Sequence, residues 1–268
     1  MTWIYTFPTW LFAPLVVAVA CTLAGGGLLL VRRFGTKADR ITHNDVAGPI
    51  IGTAGTILAV VLSFMVVVVW QEYDASAGNV QREASAVADL HHLVLGFPVP
   101  LRGQVQRDLD RYTDTIITDE WPLMQHGGRS TIAKRLAYNV EHDVVAFVPA
   151  TLHEDTLQGQ ALELVRTFAD ARRQRLFDND QGIPPLMWTA MLVLSIITVG
   201  FTYLFRVDNI RAHLIMTIGL SAIVAVIFVL IAELDYPFRG DIRIGPDAFA
   251  HVQATIHEVD YDPAKGDY

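Results

Sequence analysis

The residue types that do chemistry are present in this 268-residue chain, but their spacings point away from catalysis. His91 and His92 are adjacent. On a helix they point about 100° apart and cannot share a face. His142-Asp143 and His153-Glu154-Asp155 offer metal-ligand types. They lack the His-Glu-x-x-His spacing that sets two imidazoles on one side, so they read as structural or solvated groups. No Gly-x-Ser-x-Gly elbow occurs, and Cys21, the single cysteine, lies in an apolar run without a nearby base. Gly25-Gly26-Gly27 lacks the Lys and Ser/Thr of a phosphate loop and reads as a close-packing or bending point. No enzyme, metal or cofactor is expected.

Two other sets of residues have a spacing worth following. Gly48, Gly52, Thr56, Ala59 and Ser63 recur at steps of three or four, which makes one small-or-hydroxyl stripe on a helix. These are the candidate pore-lining positions; the competing reading is a small-residue packing seam against another span or subunit. The second set is charged: Glu72 and Asp74, then Arg172, Arg173 and Arg175, then Asp235 and Arg239. Each group borders an apolar run, so the six residues Glu72, Asp74, Arg172, Arg175, Asp235 and Arg239 are expected at the membrane rim. There they would line a vestibule, lock the bundle or pair as ordinary interfacial ions.

The elements that carry these residues follow from where charge is missing. Residues 1–31, 46–71, 181–205 and 212–232 contain no Asp, Glu, Lys or Arg. Each run meets or exceeds the ~20 residues with which a helix crosses a ~30 Å hydrocarbon layer. The expected spans are Trp10–Val31, Ala47–Trp70, Leu186–Phe205 and Ala212–Ala232, with Trp3, Tyr5, Trp10, Trp70, Trp188, Tyr203 and Tyr236 as interfacial rings. The first run is not a signal peptide, because its positive charges, Arg32 and Arg33, follow the apolar stretch. The spans hold no carboxylate, Lys or Arg, and His213 at the edge of the fourth is their one imidazole. This speaks against a proton- or ion-coupled transporter.

Orientation is read from the short loops. One carries Arg32, Arg33, Lys37 and Arg40, the other Arg206 and Arg211, and basic loops stay in the cytoplasm. Residues 72–180 hold 17 acidic and 11 basic residues, and the tail from Glu233 holds 8 and 3. Both termini and the large acidic region are therefore placed on the non-cytoplasmic side of a multi-pass protein. Nucleic acid is not an expected partner.

The region between the second and third spans reads as helical. Tyr73, Ala77, Val80, Ala84, Val87, His91 and Val94 alternate steps of four and three, a heptad seam that continues the second span to about Gly96. A second helix starts after Pro100, and Pro122 and then Gly127-Gly128 are expected to break it. A third starts at the N-cap Ser130 and a fourth runs over 151–177 with Leu157, Ala161, Leu164 and Phe168 as its stripe. In the tail, Ile242-Arg243-Ile244 alternates like a short strand and 246–258 reads as an amphipathic helix. The expected fold is an all-α membrane protein. Residues 1–71 form two spans, 72–182 a helical-bundle domain, 183–234 two further spans, and 235–268 a short β/α tail.

Several segments, taken together in order, resemble a family of bacterial membrane proteins with a bestrophin-like domain. They are Val69-Trp70-Gln71-Glu72-Tyr73-Asp74, Val80 with Glu83-Ala84-Ser85-Ala86, Tyr112, Glu120-Trp121, Arg172-Arg173-Gln174-Arg175-Leu176, Pro185-Leu186-Met187-Trp188 and Leu234-Asp235-Tyr236-Pro237-Phe238-Arg239-Gly240. The resemblance covers about residues 45–250. It implies two spans, a helical domain and two spans in a bacterial inner membrane. The family's name points to bestrophins, which are pentameric anion channels. The functional expectation is a homo-oligomeric, pentameric ion channel or pore lined by the second span, with the lipid bilayer, ions and copies of itself as partners. The alternative is a non-conducting envelope sensor or scaffold that binds partners through its helical domain.

Overall fold

The computed structural model describes residues 8–34, 44–205, 207 and 209–259. Trp3, Tyr5, Lys37, Arg40 and Arg206, invoked above, lie outside them. The helices are α1 (Thr9–Phe34), α2 (Asn44–Leu93), α3 (Val99–Thr115), α4 (Trp121–Met124), α5 (Thr131–Ala146), α6 (Leu152–Asp180), α7 (Pro185–Thr202), α8 (Ile210–Leu234) and α9 (Asp247–Val259). No strand occurs among the described residues. α1, α2, α7 and α8 are long and apolar enough to cross a membrane. α2 is one unbroken helix of 50 residues, against the ~20 that a crossing needs, and it serves two compact units whose boundary falls between Tyr73 and Asp74.

The first unit comprises Met1–Tyr73, Gly182–Tyr236 and Gly240–Ile242. Its core joins Leu58, Leu62, Met65 and Val69 of α2 to Met191 of α7, to Ile231 and Leu234 of α8, and to Ile183. α1 packs along α8. Gly25 permits this approach, because a Cβ there would meet Ile218 at 3.3 Å. The Tyr203 hydroxyl donates to the Ala24 carbonyl at 3.0 Å in space that a Cβ on Gly27 would invade. Outward, large apolar side chains such as Trp10, Phe64, Ile196 and Ile215 are exposed. Such a surface suits lipid and would aggregate in water.

The second unit comprises Asp74–Gln181, Pro237–Arg239 and Arg243–Tyr268. Val80, Ala84 and Val87 form the buried face of α2 here, and Val94 is buried in the turn that follows it; all four are seam positions of the heptad. They share the core with Val105 and Leu109 of α3, Val140 and Val144 of α5, Val165 and Phe168 of α6, and Phe249 and Val252 of α9. Ser130 caps α5, its hydroxyl accepting from the Ala133 amide at 3.2 Å. Thr151 caps α6 in the same way through the Glu154 amide. A polar seam also ties α2 to α6: the Asp178 carboxylate accepts from Ser76, Asn79 and Gln174.

Two local expectations are corrected. Pro122 does not end the second helix of this unit. A π-helical turn over Ile116–Glu120 leads directly into α4, with Pro122 in its first turn; the wider turn ahead of it makes room for the ring that would clash with a carbonyl in a regular α-helix. The segment Ile242–Ile244 is not a strand. A strand needs a ladder partner, and the Ile244 backbone finds other ones: its amide donates to the Pro237 carbonyl at 2.8 Å and its carbonyl accepts from the Trp121 indole at 3.0 Å.

Candidate functional site

Within the first unit, the stripe of small residues on α2 is open. Gly52, Thr56, Ala59 and Ser63 are exposed and Gly48 is half-buried. A Cβ on Gly48, Gly52 or Gly55 would meet no atom within 4 Å. The helix turns a different face, Leu58, Leu62, Met65 and Val69, to its own chain. The stripe is therefore not a seam against another span of the same chain. Thr56 satisfies its hydroxyl proton on the Gly52 carbonyl at 2.8 Å, which leaves the oxygen lone pairs facing outward.

The second unit encloses a cluster of ionisable side chains. Glu83 of α2, Tyr112 of α3, Glu120 of the π turn, and Arg172 and Arg175 of α6 are all buried. The Arg175 Nε donates to Glu83 Oε2 at 2.6 Å, and its Nη2 reaches Glu83 Oε1 at 3.0 Å and Glu120 Oε2 at 3.1 Å. Arg172 grips Glu120 with both terminal nitrogens, at 2.7 and 2.9 Å. The Tyr112 hydroxyl donates to Glu83 and accepts from Arg172. The Ser130 amide also donates to Glu120. Two acids thus balance two guanidinium cations, and every carboxylate oxygen has a donor. Aromatic rings close the remaining sides, with Arg175 stacked 5.1 Å from the Trp121 centroid and Arg172 5.3 Å from that of Tyr112.

The electrostatics follow from this enclosure. Burial, with Glu83 next, pushes the Tyr112 phenol well above its usual range. Burial alone would raise the Glu120 carboxyl, but Arg175 and Arg172 outweigh it and hold the group below the usual value. With its oxygens occupied and its faces covered, the cluster fastens four elements together.

The six rim candidates divide between the two units, Glu72 and Asp235 in the first and Asp74, Arg172, Arg175 and Arg239 in the second. Arg172 and Arg175 belong to the buried cluster, bonded to Glu83, Glu120 and Tyr112. Glu72 and Asp74 are exposed on α2. In the first unit, Asp235 is buried and its carboxylate accepts from the Ile183 amide. In the second, Arg239 is buried and donates to the Asn179 carbonyl at 2.8 Å. Among the histidines, His91 faces Asp110 at 3.5 Å, His92 bonds the Ala88 carbonyl, and His142 stacks on Tyr138. Glu83, Tyr112 and Glu120 entered the sequence reading only as family-like motifs. A signal for their role was present: Ala161, Val165, Phe168, Arg172, Arg175 and Asn179 follow one buried stripe on α6, so the charges sit in line with the apolar seam.

The fold and these two features define a four-span helical membrane protein with a helical second unit fastened by buried ion pairs. The chain belongs to the bestrophin-like family, matching the bestrophin-like domain over residues 16–249. No curated protein matches it. Among solved structures, a variant of a bacterial bestrophin homologue from Klebsiella pneumoniae superposes with a TM-score of 0.69 at 11% identity, covering 94% of this chain and 99% of that one. A second structure, described as a membrane protein, gives 0.68 at 10% identity over 92% and 96% of the two chains. Another Klebsiella pneumoniae variant gives 0.67 at 11% identity over 92% and 97%. At such identities the likeness is one of fold.

Proposed function

We propose that this protein is a homo-oligomeric ion channel in which α2 from each copy lines a central pore, with Gly52, Thr56, Ala59 and Ser63 facing it and Gly48 at one end. The carrying observation is the open stripe on α2. Gly52, Thr56, Ala59 and Ser63 are exposed and a Cβ on Gly48 or Gly52 would meet no atom within 4 Å, while another face of the same helix is packed. An unoccupied face of small and hydroxyl residues in lipid calls for either close-packed copies or water. A ring of copies supplies both. Membership of the bestrophin-like family supports a ring of five. The basic short loops support a cytoplasmic place for them, with the helical unit on the opposite side.

The test is cysteine scanning on a Cys21→Ser background, with purified protein reconstituted in planar bilayers. Cysteines at Gly52, Thr56, Ala59 and Ser63 are expected to react with water-soluble methanethiosulfonates and to block current. Cysteines at Leu58 or Leu62 are not. A preparation that passes no current above background at any voltage or pH, or that runs in detergent as a monomer or simple dimer, would sink this reading and favour a scaffold.

A further inference from the structure

Within the first unit, α1 and α8 run antiparallel. The last turn of α1 meets the first turn of α8, with Arg32 3.1 Å from His213, and the Thr9 amide at the start of α1 donates to Asp241, just beyond α8, at 2.7 Å. Between these ends Cys21 and Gly25 of α1 lie against Leu214 and Ile218 of α8. A helix turns about 100° per residue, so the residues beside this seam fall on two flanks. The end of α7 covers one flank. Thr202 bonds His213 and stands 3.3 Å from Thr217, and a Cβ on Gly27 would strike the ring of Tyr203.

The opposite flank is a groove. It carries Gly26, Leu29 and Arg33 of α1 and Arg211, Ile215 and Gly219 of α8. The side of each helix follows from the same rotation, which in an antiparallel pair brings the two rows to one side. A Cβ on Gly26 or Gly219 would meet no atom within 4 Å. Leu29 and Ile215 are 50% and 72% exposed, and both arginines are exposed.

The order along this groove matches a phospholipid. Arg33 and Arg211 stand at the helix ends, where a span leaves the hydrocarbon. Guanidinium groups bind phosphate through paired N–H donors. Below them come two branched apolar side chains, and below those two glycines that leave width for an acyl chain. Residues 32–40 and 206–211 hold six basic and two acidic residues, so the charge at this end favours an anionic headgroup.

We propose that the groove is a binding site for an anionic membrane phospholipid, its phosphate between Arg33 and Arg211 and one acyl chain along Leu29 and Ile215 toward Gly26 and Gly219. The proposal stands whether or not the chain conducts.

The test is native mass spectrometry of the full chain in detergent, titrated with phosphatidylglycerol and with phosphatidylcholine of the same acyl chains. Phosphatidylglycerol is expected to bind about thirtyfold more tightly, and each of Arg33→Gln and Arg211→Gln to weaken it about fivefold. The double variant should bring it to the level of phosphatidylcholine. Arg33→Lys/Arg211→Lys keeps the charge and should keep most of the preference, which separates a lost site from a lost fold. Arg107→Gln/Arg111→Gln, exposed in the second unit, should change nothing. Gly219→Leu fills the groove below intact arginines and should weaken both lipids. Equal binding of the two lipids by the wild type, the outcome if a second copy covers the groove, overturns the proposal. So does a double glutamine variant that keeps the preference, a Gly219→Leu variant that binds as wild type, or displacement of the lipid by inorganic phosphate.

Discussion

Arg175→Leu is the sharpest probe of the buried cluster. The guanidinium is fully buried and makes three bonds to carboxylates, at 2.6, 3.0 and 3.1 Å. Its removal leaves Glu83 buried with the Tyr112 hydroxyl and with Arg172 no closer than 4.0 Å. Leaving one partner of a buried ion pair uncompensated costs about 3–5 kcal/mol. At roughly 2–4 °C per kcal/mol for a chain of this size class, the unfolding midpoint should fall by about 6–20 °C. The double variant Glu83→Leu/Arg175→Leu tests the cause. It leaves Arg172 and Glu120 as one balanced pair, and replacing an entire buried pair by apolar groups is often close to neutral. The double variant should therefore be more stable than Arg175→Leu alone, with a coupling of about 2–4 kcal/mol. The assay is thermal unfolding of detergent-purified protein followed by far-ultraviolet circular dichroism. A single variant within about 1 kcal/mol of wild type, or a double variant at the sum of the two singles, would refute the reasoning.

Two further outcomes are expected. Tyr112 ionises in the folded protein only well above its ordinary value. The stability it contributes is therefore complete below about pH 10, the unfolded value, and is lost as pH rises from there through the folded one. Spectrophotometric titration should show one of the eight tyrosines ionising together with unfolding, and Tyr112→Phe should flatten the alkaline loss of stability. Gly127 adopts a φ of 76°, and a Cβ there would stand 3.0 Å from Nη2 of Arg239. Gly127→Ala should cost about 1–2 kcal/mol, read as a lower unfolding midpoint.

The spans were legible because lipid excludes charge, and four stretches of sequence obey that exclusion without exception. The length of α2 was legible because nothing interrupts the heptad after Trp70, and its positions Val80, Ala84, Val87 and Val94 are buried. The cap Ser130 announced its helix by side-chain chemistry. The cluster was not legible as a cluster. Arg172 and Arg175 look like surface cations because charged residues rarely lie inside. Their acids stand 92 and 52 to 55 residues away in the chain, and only tertiary folding brings them together. Pro122 misled for a local reason: a proline reads as a stop unless the preceding turn has changed its pitch.

That change of pitch sets what the chain can tolerate in length. Five residues, Ile116–Glu120, wind the π turn, which holds about one residue more than an α-helical path of the same height. Deleting a single residue between Thr113 and Thr118 would let the segment relax into an ordinary helix. The later side chains, Glu120 among them, would then keep close to their present directions, because the deletion removes only the surplus residue, whereas the same deletion in the regular part of α3 would turn each of them by about 100°. The segment is thus a place where the loss of one codon can be absorbed, while a turn or two earlier the same loss would carry the Glu120 carboxylate off the two arginines.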